Sequence, residues 1–139
     1  MQTDDPTDVR RIVVHADDVA TALEANARRD AGAVLRVTPP FSPRIRARLH
    51  IAGKESPYGD PAPLHVAPES LVPDAPAFPD PDDTEDALRE AGDYSVERHR
   101  TAHEEAVESW RAAVRDSVAE RAVVETPAGP HEVEVATLG

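Results

Sequence analysis

The chain has 139 residues, 27 of them acidic and 15 basic, for a net charge of -12 at neutral pH. That length fits one domain spanning residues 1–139, and a 40% apolar content is enough to enclose one core. Cysteine is absent, which excludes disulfides, thiolate metal sites and thiol nucleophiles.

The basic set is lopsided, with fourteen arginines and one lysine, Lys54. So large a net charge repels itself and weakens a compact state. In molar salt the Debye length shrinks to roughly 3 Å and most of that repulsion is screened. An acid-rich, lysine-poor composition is therefore expected of a protein that works in concentrated salt. The opening Met1-Gln2-Thr3-Asp4-Asp5-Pro6 has no apolar run and does not read as a signal peptide. No stretch approaches the roughly 18 apolar residues of a membrane span, so the expected location is cytoplasmic. Aromatics are few (Phe41, Tyr58, Phe78, Tyr94 and Trp110), which leaves the core to Val, Leu, Ile and Ala.

Residues 9–15, Val-Arg-Arg-Ile-Val-Val-His, read as a strand. Asp17 is expected to cap a helix whose apolar stripe is Val19, Ala22, Leu23 and Ala27, ending near Arg29 with Gly32 beyond it. Residues 33–38 read as a second strand. This β-α-β start predicts a parallel pair with a right-handed crossover. After the break at Pro39-Pro40-Phe41-Ser42-Pro43, Ile45, Ala47, Leu49 and Ile51 alternate with Arg44, Arg46, Arg48 and His50. Period two predicts a half-buried strand with a basic outer face; a short helix over the same residues is the alternative.

Eight of the fourteen prolines fall between Pro57 and Pro81, so residues 52–83 are expected to be a long connecting segment with little regular structure. Leu64, Val66, Leu71 and Val72 are its candidates for core contact. A short helix is expected over roughly 84–91, ended by Gly92. Ser95 then caps a long helix from Val96 to about Arg121, with the stripe Val96, His103, Val107, Trp110, Val114 and Val118. Its opposite face, which includes Glu97, Glu104, Glu105, Glu108, Arg111, Arg115 and Glu120, reads as solvated. Ala122–Glu125 and His131–Val135, flanking Pro127-Ala128-Gly129, read as a closing hairpin.

Little in this order carries catalysis. His99 and His103 are spaced to share a metal, but Arg100 and Ala102 stand where metalloprotease motifs put glutamate. No metal and no cofactor is expected. His15, Asp17 and Asp18 end the first strand, where open sheets bind ligands; a small enzyme built there is the remote alternative. No phosphate-binding glycine loop and no nucleophile elbow is present.

The sharpest anomaly is the window from Ala31 to Lys54. It holds five cations (Arg36, Arg44, Arg46, Arg48 and Lys54) and no acid, while the rest of the chain carries a net -17. With His50, these are the candidate site residues. Three readings compete: internal pairing with the chain's own carboxylates, binding of nucleic acid or another anionic ligand, and docking onto an acidic partner protein. Residues two apart in a strand lie about 6.6 Å apart, close to the roughly 7 Å between every second phosphate of one DNA strand. Phe41 and Tyr58 flank the segment as candidates for stacking on bases.

Arg11-Ile12-Val13-Val14-His15, Thr38-Pro39-Pro40-Phe41-Ser42-Pro43-Arg44, Asp82-Asp83-Thr84-Glu85, Val96-Glu97-Arg98-His99 and Val133-Glu134-Val135 are similar to segments of small uncharacterised proteins of halophilic archaea. The resemblance implies a lineage and a single domain over the whole chain, and no activity. The combined expectation is an α+β domain, a small mixed sheet packed on one long helix, that binds rather than catalyses. One consequence is measurable: the melting temperature should rise steeply between about 0.1 and 2 M KCl as the Debye length falls from roughly 10 Å to below 3 Å. A flat profile would contradict adaptation to salt.

Overall fold

The computed structural model describes residues 2–51 and 61–139. Their order is β1 (Arg11–His15), α1 (Ala16–Arg29), β2 (Ala33–Val37), β3 (Arg44–Arg46), β4 (Arg48–Ile51), β5 (Leu64–Val66), α2 (Pro68–Leu71), α3 (Pro81–Glu90), α4 (Val96–Arg115), β6 (Arg121–Thr126) and β7 (Gly129–Leu138). The class is α+β, with the long helix and the closing hairpin in place. The strands divide between two sheets: four strands in the order β3-β1-β7-β6 and three in the order β4-β2-β5.

The expected parallel pairing of the first two strands does not occur. β1 runs parallel to both β3 and β7, while β2 is antiparallel to both β4 and β5. The physical reason lies in their patterns. Ile12, Val13 and Val14 of β1 are consecutively buried, as suits a central strand among parallel neighbours. In β2, Ala33, Leu35 and Val37 are buried while Val34 and Arg36 are not, which suits an antiparallel sheet with one wet face.

The predicted strand over 44–51 is broken in the middle. Ala47 belongs to neither sheet ladder; its side chain is fully buried and its N–H donates to Val13 O at 2.9 Å. At this residue the chain leaves the edge of one sheet and enters the edge of the other. The period-two alternation survives the break, because Ile45, Ala47, Leu49 and Ile51 all pack on the core.

Asp17 is not the cap of α1. The helix starts at Ala16 with His15 in the cap position and no side-chain cap bond, and Asp17 and Asp18 sit in the first turn. At the other end of α1, Asn26 bonds both the N–H of Ala33 (2.7 Å) and its carbonyl (3.0 Å), which fixes the helix to β2.

The proline-rich stretch holds more order than expected: β5, then α2 and α3, each with a proline in its first turn where the missing N–H costs nothing. Leu64, Val66, Leu71 and Val72 are buried as expected. α3 begins at Pro81, three residues early, because the Asp80 carboxylate caps it by accepting from Asp82 N.

Ser95 caps α4 through Arg98 N, but the helix ends at Arg115 rather than near Arg121. The following residues are claimed by tertiary bonds: Ala119 N–H donates to Leu71 O and Glu120 O accepts from Val135 N, both at 2.8 Å. Val107, Trp110 and Val114 anchor α4, whereas Val96, expected in the buried stripe, is 67% exposed. Trp110 donates to Pro76 O at 2.8 Å and meets Phe78 edge-on at 5.0 Å.

Candidate anion-binding surface

Because Ile45, Ala47, Leu49 and Ile51 face inward, Arg44, Arg46, Arg48 and His50 face outward on both sides of the bend. Register then decides their neighbours. On the four-stranded sheet Arg44 lies directly opposite Arg11. On the three-stranded sheet Arg48 lies opposite Arg36, which in turn lies opposite His65, and His50 lies opposite Val34. The expected residues thus occupy two adjoining outer faces that meet at Ala47. Lys54 lies outside the described residues.

Like charges directly opposite each other destabilise a sheet, so the ion pairs matter. Arg46 reaches Asp18 at 3.9 Å, and its Nε is buried with no hydrogen-bond partner among the described residues. Arg11 sends both Nε (3.0 Å) and an Nη (2.5 Å) to Glu134 Oε2. Arg44 and Arg48 are exposed and make no ion pair or side-chain hydrogen bond among the described residues. Among the described residues, then, internal pairing is found for Arg46 and not for Arg44 or Arg48.

The contrast with other arginines is plain. Arg111 and Arg115 were expected on the solvated face of the long helix. Instead they bind α1: Arg111 to Glu24 at 3.0 Å, Asp17 at 3.7 Å and Thr21 at 3.2 Å, and Arg115 to Asp17 at 3.2 Å. Arg28 adds a second contact to Glu24 at 3.0 Å. Of the acids of the alternative enzyme site, Asp17 is engaged in these pairs and Asp18 in the pair with Arg46.

Two further expectations change. Phe41 is fully buried and its backbone bridges to Thr3, so its ring offers no stacking surface. Tyr58 lies outside the described residues. The flat rings on the outer face are imidazoles: His50 and His65 lie 5.8 Å apart with planes inclined by 19°. Arg11 and His65 were missed by the sequence reading, since only strand register brings them beside Arg44 and Arg36.

The other histidine pair serves the fold. The rings of His99 and His103 are parallel within 7° at 6.1 Å. His99 Nε2–H donates to Pro81 O at 2.9 Å, and His103 Nδ1 lies 3.4 Å from Thr84 Oγ1, so both pin α3 to α4. No group of three metal-ligating side chains occurs among the described residues. A groove of about 590 Å³ lies between α3 and α4, with Leu88 and Ala102 in its lining. No helix among the described residues is long and apolar enough to cross a membrane.

Arg11, by its hydrogen bonds first and its charge second, holds the Glu134 carboxyl below the usual carboxylate range. Folding thus lowers this pKa. The stabilisation it brings is present above the ordinary carboxylate value and is lost as pH falls through the lowered one. An NMR titration should find Glu134 ionising below an ordinary Glu, and Arg11→Ala should return it to that range. An unchanged midpoint in the variant would contradict the pairing.

No curated protein and no solved structure is significantly similar to the chain. The model of one family, Domain of unknown function (DUF8009), matches residues 1–139, and the chain belongs to that family.

Proposed function

We propose that the protein is a non-catalytic binding module that takes an anionic ligand on the corner formed by β3 and β4. The observation that carries this reading is the state of Arg44 and Arg48. Both are exposed, each stands directly opposite another arginine, and no carboxylate among the described residues neutralises either. Like-charged cross-strand neighbours cost a few tenths to about 1 kcal/mol each. In a chain with 27 acids, a partner for each was readily available. A cost left uncompensated at one place on a surface is the mark of a site kept for something outside the fold.

The composition and the residue resemblances support a cytoplasmic protein of salt-accumulating archaea. At molar salt the contact must be short in range, through paired Arg–anion hydrogen bonds rather than a long field. A second reading, an adaptor that docks an acidic protein, draws on Val123 and Leu138. Both are about half exposed, and by register they lie on the same outer face as Arg11 and Arg44.

Titration with inorganic polyphosphate and with poly-glutamate in about 1 M KCl tests both readings. Polyphosphate should bind, and Arg44→Ala/Arg48→Ala should weaken it at least tenfold while melting at the wild-type temperature. Preference for poly-glutamate would favour the adaptor. Absence of binding to either polymer, at every salt concentration where the protein is folded, would overturn both.

A further inference from the structure

We infer that the outer face of the four-stranded sheet is the contact surface of a homodimer, in which Arg44 of each copy pairs with Glu125 of the other. This inference goes beyond the anion-binding reading and does not rest on it. Arg44 is the one residue the two share, since Arg48 lies on the other sheet.

The helices all lie on the inward side of this sheet. The buried residues of α1, α2 and α4 join one core cluster with Ile12, Val14, Ala122, Val124 and Val133, the inward residues of β1, β6 and β7. α3 buries nothing and is pinned to α4. Among the described residues, no element is packed over the outward side. Exposure agrees: the Arg121 and Glu132 side chains are 65% and 63% exposed, and Val123 and Leu138 are 50% and 42% exposed. Of the large apolar residues among those described, only Val96 matches these two in exposure, so the others of that kind gather on this face. β1 is parallel to both its neighbours, and parallel strands ordinarily carry a layer on each face.

Charge identifies the layer that fits. Four arginines and three glutamates point outward here, so the face is close to neutral in a chain of net -12. Two copies can meet on it without massing their carboxylates. Within the face, Arg11 is paired with Glu134 and Arg121 with Glu132, and Arg46 reaches Asp18. Two charges are left over. Arg44 and Glu125 are both exposed, and neither makes an ion pair or side-chain hydrogen bond among the described residues. They are of opposite sign and stand on β3 and β6, the two edge strands of the sheet.

That is the pattern of a self-complementary surface. In a two-fold contact every residue pair occurs twice with the roles exchanged. A two-fold axis lying in the plane of contact, between β1 and β7, lays β3 of each copy over β6 of the other. Both leftover charges then find a partner. An axis that laid β3 over β3 would set Arg44 against Arg44, and an acidic partner protein would meet Glu125, Glu132 and Glu134 along with the arginines. The face offers about a dozen outward side chains, fewer than the 20–30 per side of a standard interface, so the dimer is weak, with a Kd on the order of 100 μM. In molar salt the Debye length of roughly 3 Å confines the repulsion between two acidic chains, so association strengthens as KCl rises. An anion held by Arg44 displaces Glu125 of the other copy, so ligand binding and dimer formation oppose each other.

Sedimentation equilibrium of the full chain at roughly 20 to 500 μM in about 1 M KCl tests this. The average mass should climb from 15.0 kDa towards twice that value, and should climb less at low salt. Arg44→Glu and Glu125→Arg should each weaken the dimer at least tenfold, and the two together should restore it to within about threefold of the wild type. Both positions are exposed, so each variant should keep the wild-type circular dichroism spectrum. A wild type that stays at 15.0 kDa over the whole range would overturn the inference with no variant needed. So would a mass that climbs past the dimer, or a double variant no tighter than the single ones. Polyphosphate binding is read separately, so the failure of either reading leaves the other standing.

Discussion

Ala47 donates its amide hydrogen to the carbonyl of Val13 and buries its methyl group completely, and through that contact the chain passes from one sheet to the other. A larger side chain would not fit at a fully buried bend without displacing its neighbours. The residues on either side have little freedom as a result. Ile45 must face the core of the four-stranded sheet and Leu49 that of the three-stranded one, so Arg44, Arg46 and Arg48 must face out. The basic corner is thus a consequence of the way two sheets share one strand edge. Packing beneath them sets the direction of these arginines, and among the described residues only Arg46 of the three is also held by an ion pair, to Asp18.

The rest of the charge pattern follows a different rule. Where helix meets helix, arginine and carboxylate are matched. Arg111, with an 18% exposed side chain, lies between Glu24, 22% exposed, and Asp17. Arg28 and Arg115 extend the set along the same seam. Half-buried and mutually bonded, these groups restrain one another and hold α4 against α1, which isolated surface pairs do weakly. The same chain therefore matches charge where helix meets helix and, among the described residues, leaves Arg44 and Arg48 unmatched.

Much of this was legible in the sequence. Period-two alternation over 44–51 placed the inward and outward residues correctly even though the stretch is two strands, since a bend at a small residue preserves the alternation. Ser95 marked the start of α4, Trp110 its anchor, and Pro127-Ala128-Gly129 the hairpin turn. The pairing of strands was not legible in the same way. Helical crossover favours a parallel pair, but the contiguous burial of Ile12, Val13 and Val14 against the alternation of β2 separated the two into different sheets. The end of α4 was missed because hydrogen bonds to the Leu71 carbonyl and from the Val135 N–H, far away in sequence, decide it. Arg111 and Arg115 looked solvated because their partners sit on another helix. For the site, residue type and spacing identified the strand, and only register could add Arg11 and His65. The proposed stacking role of Phe41 failed because its ring is needed in the core of a chain poor in aromatics.

The central claim is that Arg44 and Arg48 are kept for a ligand and contribute nothing to folding. Equilibrium urea denaturation of Arg44→Ala/Arg48→Ala, beside Arg111→Ala, tests it directly. The double variant should match the wild type within about 0.5 kcal/mol, the range of surface substitutions away from special features, or exceed it slightly as like-charge repulsion is relieved. Arg111→Ala should lose about 1 kcal/mol or more, because it removes the least exposed arginine of this seam with its hydrogen bonds to Glu24 and Thr21, and leaves Glu24 to Arg28 and Asp17 to Arg115 alone. A double variant that loses more than about 1 kcal/mol, as Arg111→Ala should, would contradict the account and return these arginines to the fold.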